Sequence, residues 1–334
     1  MPYINEFKLP QNPIGLALAG GGIRGYAQIG VLEVIEKHGF SADMISGTSI
    51  GSFVATLVAM GLSAKEIYDN FESFEKRFTE QKVFTRPDVD MIKPTKNKIN
   101  GMVDGDQILT IFDEFYGRYG VKKLTDIKKP IVIVATECNK CKTTYFTNVR
   151  NFVPSRDAIV IYDAPVSVAV RASCSFPGVI SVCNYNEYSF IDGGVMMNLP
   201  VEPLKDLGAY KVMSLTMKVP RPEFASKSAV RVLKRASDIM QYELLDVQIR
   251  LSDYNIDVGV GGFKAFDVGK GRLIYKRGEN IALDKEEDIV KFFEEIYETR
   301  KPKEPEIKTK TKTKNPLAKI FPNLKKKHFK FKIR

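Results

Sequence analysis

Two short apolar runs, each ending in a glycine-rich turn that leads into a helix-periodic segment, constrain this chain more than any other feature. Residues 14–19 (I-G-L-A-L-A) meet G-G-G-I-R-G, as a buried strand does before a tight turn. Behind that turn, Ala27, Val31, Val34, Ile35 and His38 recur at helical spacing and stop at Gly39, a suitable helix-ending residue. Residues 43–46 then read as a second strand, G-T-S-I-G as its turn, and the apolar segment from Ile50 as a second helix. Strand, turn, helix, strand, turn and helix make a right-handed parallel unit, which commits the chain to an α/β fold.

The remaining periodicity agrees with that class. Over 64–78, Ile67, Phe71, Phe74 and Phe78 share one helix face. Residues 79–105 are polar, contain Pro87, Pro94 and several lysines, and read as a flexible cap over a site. Helical spacing returns over 106–116, 165–172, 230–251 and 284–297. Strands are expected at 131–136 and 143–147 as a hairpin, and at 188–191, 211–217 and 255–260. The alternation predicts a sandwich around a mostly parallel sheet, without internal repeats. With 334 residues and 44% apolar content the chain can bury a large core. The expected division is one catalytic domain over 1–300 and an appendage over 301–334.

Charge separates those two parts. Of 51 basic and 40 acidic residues, thirteen and two fall in 301–334, so the body is neutral and the tail carries the whole excess of +11. A basic face on the domain, and with it a nucleic-acid-binding fold, is not implied. The K-T-K-T-K-T-K run is too charged to pack, whereas Leu317, Ile320, Phe321, Leu324, Phe329, Phe331 and Ile333 set apolar side chains among cations. An arm for anionic membrane is the expected role; contact with nucleic acid, a nuclear-type address or a solvated tail without partner are the alternatives. The apolar run 50–62 is too short to cross a bilayer, and the first ten residues lack a secretory pattern, so the expectation is a cytoplasmic chain with peripheral membrane contact. Four cysteines fit that compartment. Cys138 and Cys141 form C-x-x-C between the two hairpin strands; a turn is the plain reading, and a zinc or redox role is the rival.

The chemistry centres on Ser49, which stands between Gly47 and Gly51 in G-T-S-I-G after a strand and before a helix. Small neighbours permit the strained turn of a nucleophile elbow and leave the hydroxyl at a helix N-terminus. Gly20, Gly21 and Gly22 can aim backbone amides at one spot, where an anion or a developing oxyanion would sit. Gly20, Gly22 and Gly25 also satisfy G-x-G-x-x-G formally, so a dinucleotide loop stays open as a rival, although Asp43 starts the second strand instead of ending it. A Ser-His-Asp triad needs a histidine, and the chain has only His38, on the first helix, and His328, in the tail. A desolvated carboxylate can act as base in its place. Asp192 ends a strand and enters a glycine loop, Gly193 and Gly194, though an aspartate before glycine is also an ordinary turn.

Three blocks in order, G-G-G-I-R-G, G-T-S-I-G and D-G-G followed by N-L-P, resemble the patatin-like phospholipases, in particular bacterial proteins akin to the catalytic domain of neuropathy target esterase. R-A-S-C-S-F-P-G at 171–178 and F-D-V-G-K-G-R-L-I-Y-K-R-G-E at 266–279 extend the resemblance, which fails in the tail. It implies a three-layer α/β/α sandwich and a phospholipase A or lysophospholipase type of reaction on a lipid ester substrate. Ser49 would attack the carbonyl, Asp192 accept its proton, and the Gly20, Gly21 and Gly22 amides hold the oxyanion, through an acyl-enzyme and with neither metal nor cofactor. Arg24 would orient the glycine loop or meet a phosphate headgroup. Gly47, Gly51, Gly193 and Gly194 would support the two turns, Asn198 and Pro200 shape the aspartate loop, and Arg171 and Ser173 serve packing. The alternative is an inactive member of the fold acting as a membrane-associated or regulatory scaffold.

Overall fold

The computed structural model describes residues 7–80, 100–218 and 228–301. Most of the expected cap (81–99), the start of the chain and the tail from 302 onward, with His328, lie outside the described residues.

Nine of the described strands form one sheet. Its order is β11 (Tyr254–Asp257), β10 (Lys211–Thr216), β1 (Ile14–Leu18), β2 (Met44–Thr48), β4 (Ile131–Glu137), β5 (Lys142–Thr147) and β6 (Ile159–Tyr162). The run from β11 to β4 is parallel throughout, β5 turns back antiparallel to β4, and β6 is parallel to β5. The turn between β4 and β5 holds Cys138 and Cys141, both free thiols. A small parallel pair joins β3 (Gly101–Val103) to β7 (Gly178–Ile180), so the end of the expected cap is ordered structure.

Both faces of the sheet are covered, and the period-two alternation of each strand assigns its side chains to one layer or the other. Leu16, Leu18, Ile45, Ile131 and Ile133 enter the larger core, built with α1 (Gly25–Lys37), α2 (Ile50–Met60), α3 (Ala64–Glu80), α4 (Gly105–Arg118), α5 (Val166–Ser173), α8 (Gly271–Asp284) and α9 (Glu286–Arg300). Ala17, Ala19, Met44, Val132 and Val134 enter the smaller one, with α6 (Glu202–Asp206) and α7 (Ala229–Leu251). The three-layer α/β/α arrangement expected from the sequence is therefore the observed one.

The feature that positions the site is a shared edge of β4. Its first half pairs with β2, ending at Thr48 opposite Val134. Its second half pairs on with β9 (Tyr188–Asp192), which runs antiparallel, is itself paired to β8 (Cys183–Tyr185), and places Asp192 opposite Ala135. Since Val134 and Ala135 are consecutive, the last residues of β2 and β9 meet end to end. The turn after one strand carries Ser49, and the other strand ends on Asp192.

Candidate active site

Ser49 links β2 to α2 with φ 54° and ψ −131°, a left-handed conformation that a non-glycine residue holds only when its surroundings fix it. Those surroundings are visible. Gly47 and Gly51 pack so closely that a Cβ on Gly47 would lie 2.3 Å from the Gly51 carbonyl oxygen. The Ser49 N–H donates to Ser173 Oγ at 2.8 Å, and Ser173 in turn donates to the Val134 carbonyl at 2.5 Å. Ser173, expected only to pack, thus ties the turn to β4. Its neighbour Arg171 is buried and donates to the carbonyls of Gly105 and Ser181, both at 2.7 Å, and to Ser175 Oγ, anchoring α5 as a structural clamp.

Asp192 is 3% exposed. Its Oδ1 accepts the Gly194 N–H at 2.7 Å, whereas Oδ2 is buried without a hydrogen-bond partner. Burial pushes the carboxyl up to about 6, opposed by the Ser49 hydroxyl and then by the Gly194 amide. The serine is therefore close enough to favour the charged form, while no hydrogen bond to Oδ2 is completed. A buried acceptor with nothing bonded to it is costly unless it serves a purpose.

The glycine loop lies beside Ser49: a Cβ on Gly20 would come within 2.9 Å of the Ser49 Cβ. The expectation that all three glycine amides face an oxyanion needs correcting, because the Gly20 N–H already donates to the Asn198 carbonyl at 3.1 Å. Among the described residues the N–H groups of Gly21 and Gly22 donate to no acceptor, and both glycines line the same cavity as Ser49. Gly22 has φ +62°, and a Cβ there would collide with the Ala265 carbonyl oxygen at 2.2 Å, so glycine is required on both counts. Arg24 donates from Nε to the Gly21 carbonyl at 2.8 Å, which orients the loop, and burial lowers its pKa against the opposing effect of Tyr242.

The aspartate loop is fastened to both other blocks. Asn198 reaches the Gly20 carbonyl with its side chain at 3.4 Å, Thr48 Oγ1 donates to the Met197 carbonyl at 2.8 Å, and Ser46 Oγ donates to the Pro200 carbonyl at 2.6 Å. Gly193 sits against the Val134 carbonyl, where a Cβ would be 2.2 Å away. These contacts hold Asp192 against the elbow from a loop remote in sequence. The dinucleotide reading fails on geometry: Asp43 accepts the Ile14 N–H at 2.7 Å and pairs with Arg300 at the opposite end of β1 and β2. His38 caps α1 and pairs with Glu286 at 2.7 Å, and it does not line the cavity.

The cavity over these residues measures about 230 Å³. Ser49, Asp192, Gly21 and Gly22 share its polar end. Phe53, Phe71, Phe74, Ile108 and Phe112 form an apolar slot, the ring centroids of Phe53 and Phe74 lying 4.6 Å apart edge to face and those of Phe53 and Phe112 5.3 Å apart and tilted. Cys174 also lines the cavity. Burial first, and then the Asp192 charge, push its thiol pKa up, so it stays protonated. Sequence reasoning missed Cys174 and the 263–268 segment, whose Ala265 carbonyl accepts the Ile23 N–H at 2.8 Å and whose Phe266 joins the cavity wall. The signal for Cys174 was present in R-A-S-C-S-F-P-G, but nothing in that string says which side chain faces the cavity. Among the described residues no group of three or more metal-binding side chains occurs, and no helix is long and apolar enough to cross a membrane.

An α/β sandwich with a strained serine turn facing a buried carboxylate, under an apolar cavity, defines the class to which comparison can be made. The sequence profile described as patatin-like phospholipase matches residues 16–205, and the chain belongs to that family. Among its relatives, Lysophospholipase NTE1 of Meyerozyma guilliermondii is 32% identical over 208 residues, covering 62% of this chain and 13% of the relative. The human protein Patatin-like phospholipase domain-containing protein 6 is 29% identical over 209 residues, 62% of this chain and 13% of that one. The chain thus spans about an eighth of the length of these relatives. Among solved structures, VipD from Legionella pneumophila matches with a TM-score of 0.47 and 12% identity over 83% of this chain and 67% of that one.

Proposed function

We propose that this chain is a lipid acyl hydrolase of the phospholipase A or lysophospholipase type, with Ser49 as nucleophile and Asp192 as its only protein base. The observation that carries the reading is the juxtaposition of a left-handed serine with a buried carboxylate oxygen, Asp192 Oδ2, that has no other partner. Membership of the patatin-like phospholipases and the names of the relatives support the lipid ester as substrate.

In the first half-reaction, Asp192 Oδ2 takes the Ser49 proton as Oγ bonds to the ester carbonyl carbon, and the carbonyl π pair moves onto oxygen. The Gly21 and Gly22 N–H groups stabilise that oxyanion, helped by the N-terminal end of the α2 dipole. Collapse expels the alcohol portion of the lipid, which leaves with the proton held by Asp192. In the second half-reaction a water donates its proton to Asp192, adds to the acyl-enzyme and releases the fatty acid, returning Ser49 to its hydroxyl form. The acyl chain occupies the phenylalanine slot. The lysine-rich residues 301–334 draw the chain to anionic lipid, at about 1 kcal/mol per cation near such a surface.

The base must be ionised to act, so kcat/KM on a monomeric ester should fall as pH drops through about 6 and level off above it. Asp192→Asn should remove that inflection. A limb that persists in Asp192→Asn, or one that disappears in His38→Gln, would assign the base elsewhere.

The slot sets chain length. Phe112→Leu enlarges it while keeping an apolar side chain, and each additional methylene accommodated should be worth about 0.8 kcal/mol, or roughly fourfold in kcat/KM. A series of p-nitrophenyl esters of increasing length reads this directly. The optimum should move to longer acyl groups, and an unchanged profile would place the acyl chain outside the slot.

A further inference from the structure

Helix α7 exposes a continuous apolar stripe. Ala229, Leu233, Ala236, Met240, Leu244, Val247 and Leu251 recur at intervals of three and four, which places them on one narrow face over the whole 23 residues. All seven are exposed, Leu233 at 71% and Met240 at 61%, and Val232 and Ile239 widen the stripe on one side. The helix is held to the domain by a different face, where Leu245 and Gln248 are buried and Ile249 packs on the smaller core. Monomeric proteins seldom leave so long an apolar row in water without using it.

The place of the row in the fold says what uses it. Met240 is followed by Gln241, which lines the cavity, so the stripe passes the rim of the active site. Two further rim residues, Phe176 and Val268, line the cavity and also expose apolar surface. Stripe and rim therefore belong to one apolar surface that opens into the phenylalanine slot. The rest of α7 mixes Arg231, Arg235 and Arg250 with Asp238, Glu243 and Asp246, so it is the apolar row and not a sign of charge that distinguishes this helix. A long apolar face that runs into the mouth of an apolar cavity matches a lipid surface in hydrophobicity.

We propose that the exposed face of α7 lies in the headgroup region of a lipid bilayer and seats the cavity mouth on it, so that a lipid ester passes into the slot without crossing water. The proposal rests on the lipid-hydrolase reading for what enters the cavity, but its contact is separate from the lysine-rich tail: it is apolar, and salt should not abolish it.

The test uses the full-length chain and a variant carrying Leu233→Glu, Met240→Glu and Leu244→Glu together. All three side chains are exposed and none lines the cavity, so hydrolysis of a soluble short-chain ester should match wild type. Flotation with vesicles of equal phosphatidylcholine and phosphatidylglycerol, at raised salt to screen the tail, should show wild type bound and the variant weakened by at least about tenfold. Vesicle hydrolysis should fall in parallel. Equal flotation of both proteins would overturn the proposal. So would a wild-type dimer in sedimentation that the variant converts to monomer, because the stripe would then be the seat of a second copy. Flotation is read without turnover, so failure of the hydrolase reading shows separately, as a wild-type protein that binds vesicles but cleaves no ester.

Discussion

Ser49→Ala is expected to abolish acyl-enzyme formation and to lower kcat on any ester by about 10⁶-fold, the loss that follows removal of a serine nucleophile. Among the described residues no neighbouring side chain can substitute. Cys174 is kept protonated by burial and by the Asp192 charge, Ser173 Oγ is bonded to both Ser49 N–H and the Val134 carbonyl, and Ser52 Oγ donates to the Ser49 carbonyl at 2.6 Å. The missing hydroxyl should leave the fold intact, because the turn is set by backbone contacts and not by Oγ. Turnover of a soluble ester, measured beside the thermal unfolding curve, checks both halves. A variant that unfolds like wild type and keeps more than a small fraction of its activity would remove Ser49 from the mechanism.

Asp192→Asn should lower kcat by roughly 10²–10⁴-fold, the range for a positioned proton acceptor, and should at the same time stabilise the protein. The second expectation follows from the sign of the shift. The native carboxyl titrates at about 6 against an ordinary 3.8, so the folded state holds the proton more tightly than the unfolded state. The resulting stability is fully present below pH 3.8 and is lost as pH rises through 6. Above that, the buried carboxylate costs about 3 kcal/mol relative to its unfolded reference. Asparagine keeps the shape and the acceptor for Gly194 N–H but never ionises. Unfolding followed against pH should therefore show the variant more stable than wild type at neutral pH, with the difference vanishing in acid. A destabilised Asp192→Asn would mean that the charge has a partner and that its loss of activity reports misfolding.

The serine turn was legible because every cue for it is local: an apolar run, small residues around one serine, and helical spacing behind it. The layers were legible for the same reason, since α3 announces itself through Ile67, Phe71 and Phe74, all buried as their spacing implies. The pairing of Ser49 with Asp192 was not readable from periodicity, because it arises from β2 and β9 sharing one edge of β4, a register between segments more than 140 residues apart. The resemblance to a family supplied it instead. Helix α8 was overlooked for a different physical reason. Its buried face is Gly271, Ile274, Gly278 and Ala282, nearly devoid of large apolar side chains, because it packs directly on α1. A Cβ on Gly278 would lie 2.0 Å from the Ala27 carbonyl oxygen, and one on Gly30 would lie 2.4 Å from that of Tyr275. Two helices that touch through glycine leave no hydrophobic stripe to read. The glycine loop was half legible: three glycines were visible, but that the first spends its amide on the Asn198 carbonyl depends on a loop reaching back from the other end of the domain.

In the proposed mechanism Ser49 becomes covalently acylated because Asp192 takes its proton. Mass spectrometry of peptides after reaction with a fluorophosphonate tests it most directly, with wild type and Asp192→Asn compared at equal times and at a pH well above 6. A single adduct is expected, on Ser49, formed in wild type and slowed by at least about 10²-fold in Asp192→Asn. An adduct on another serine, or equal labelling of Ser49 in the two proteins, would contradict it.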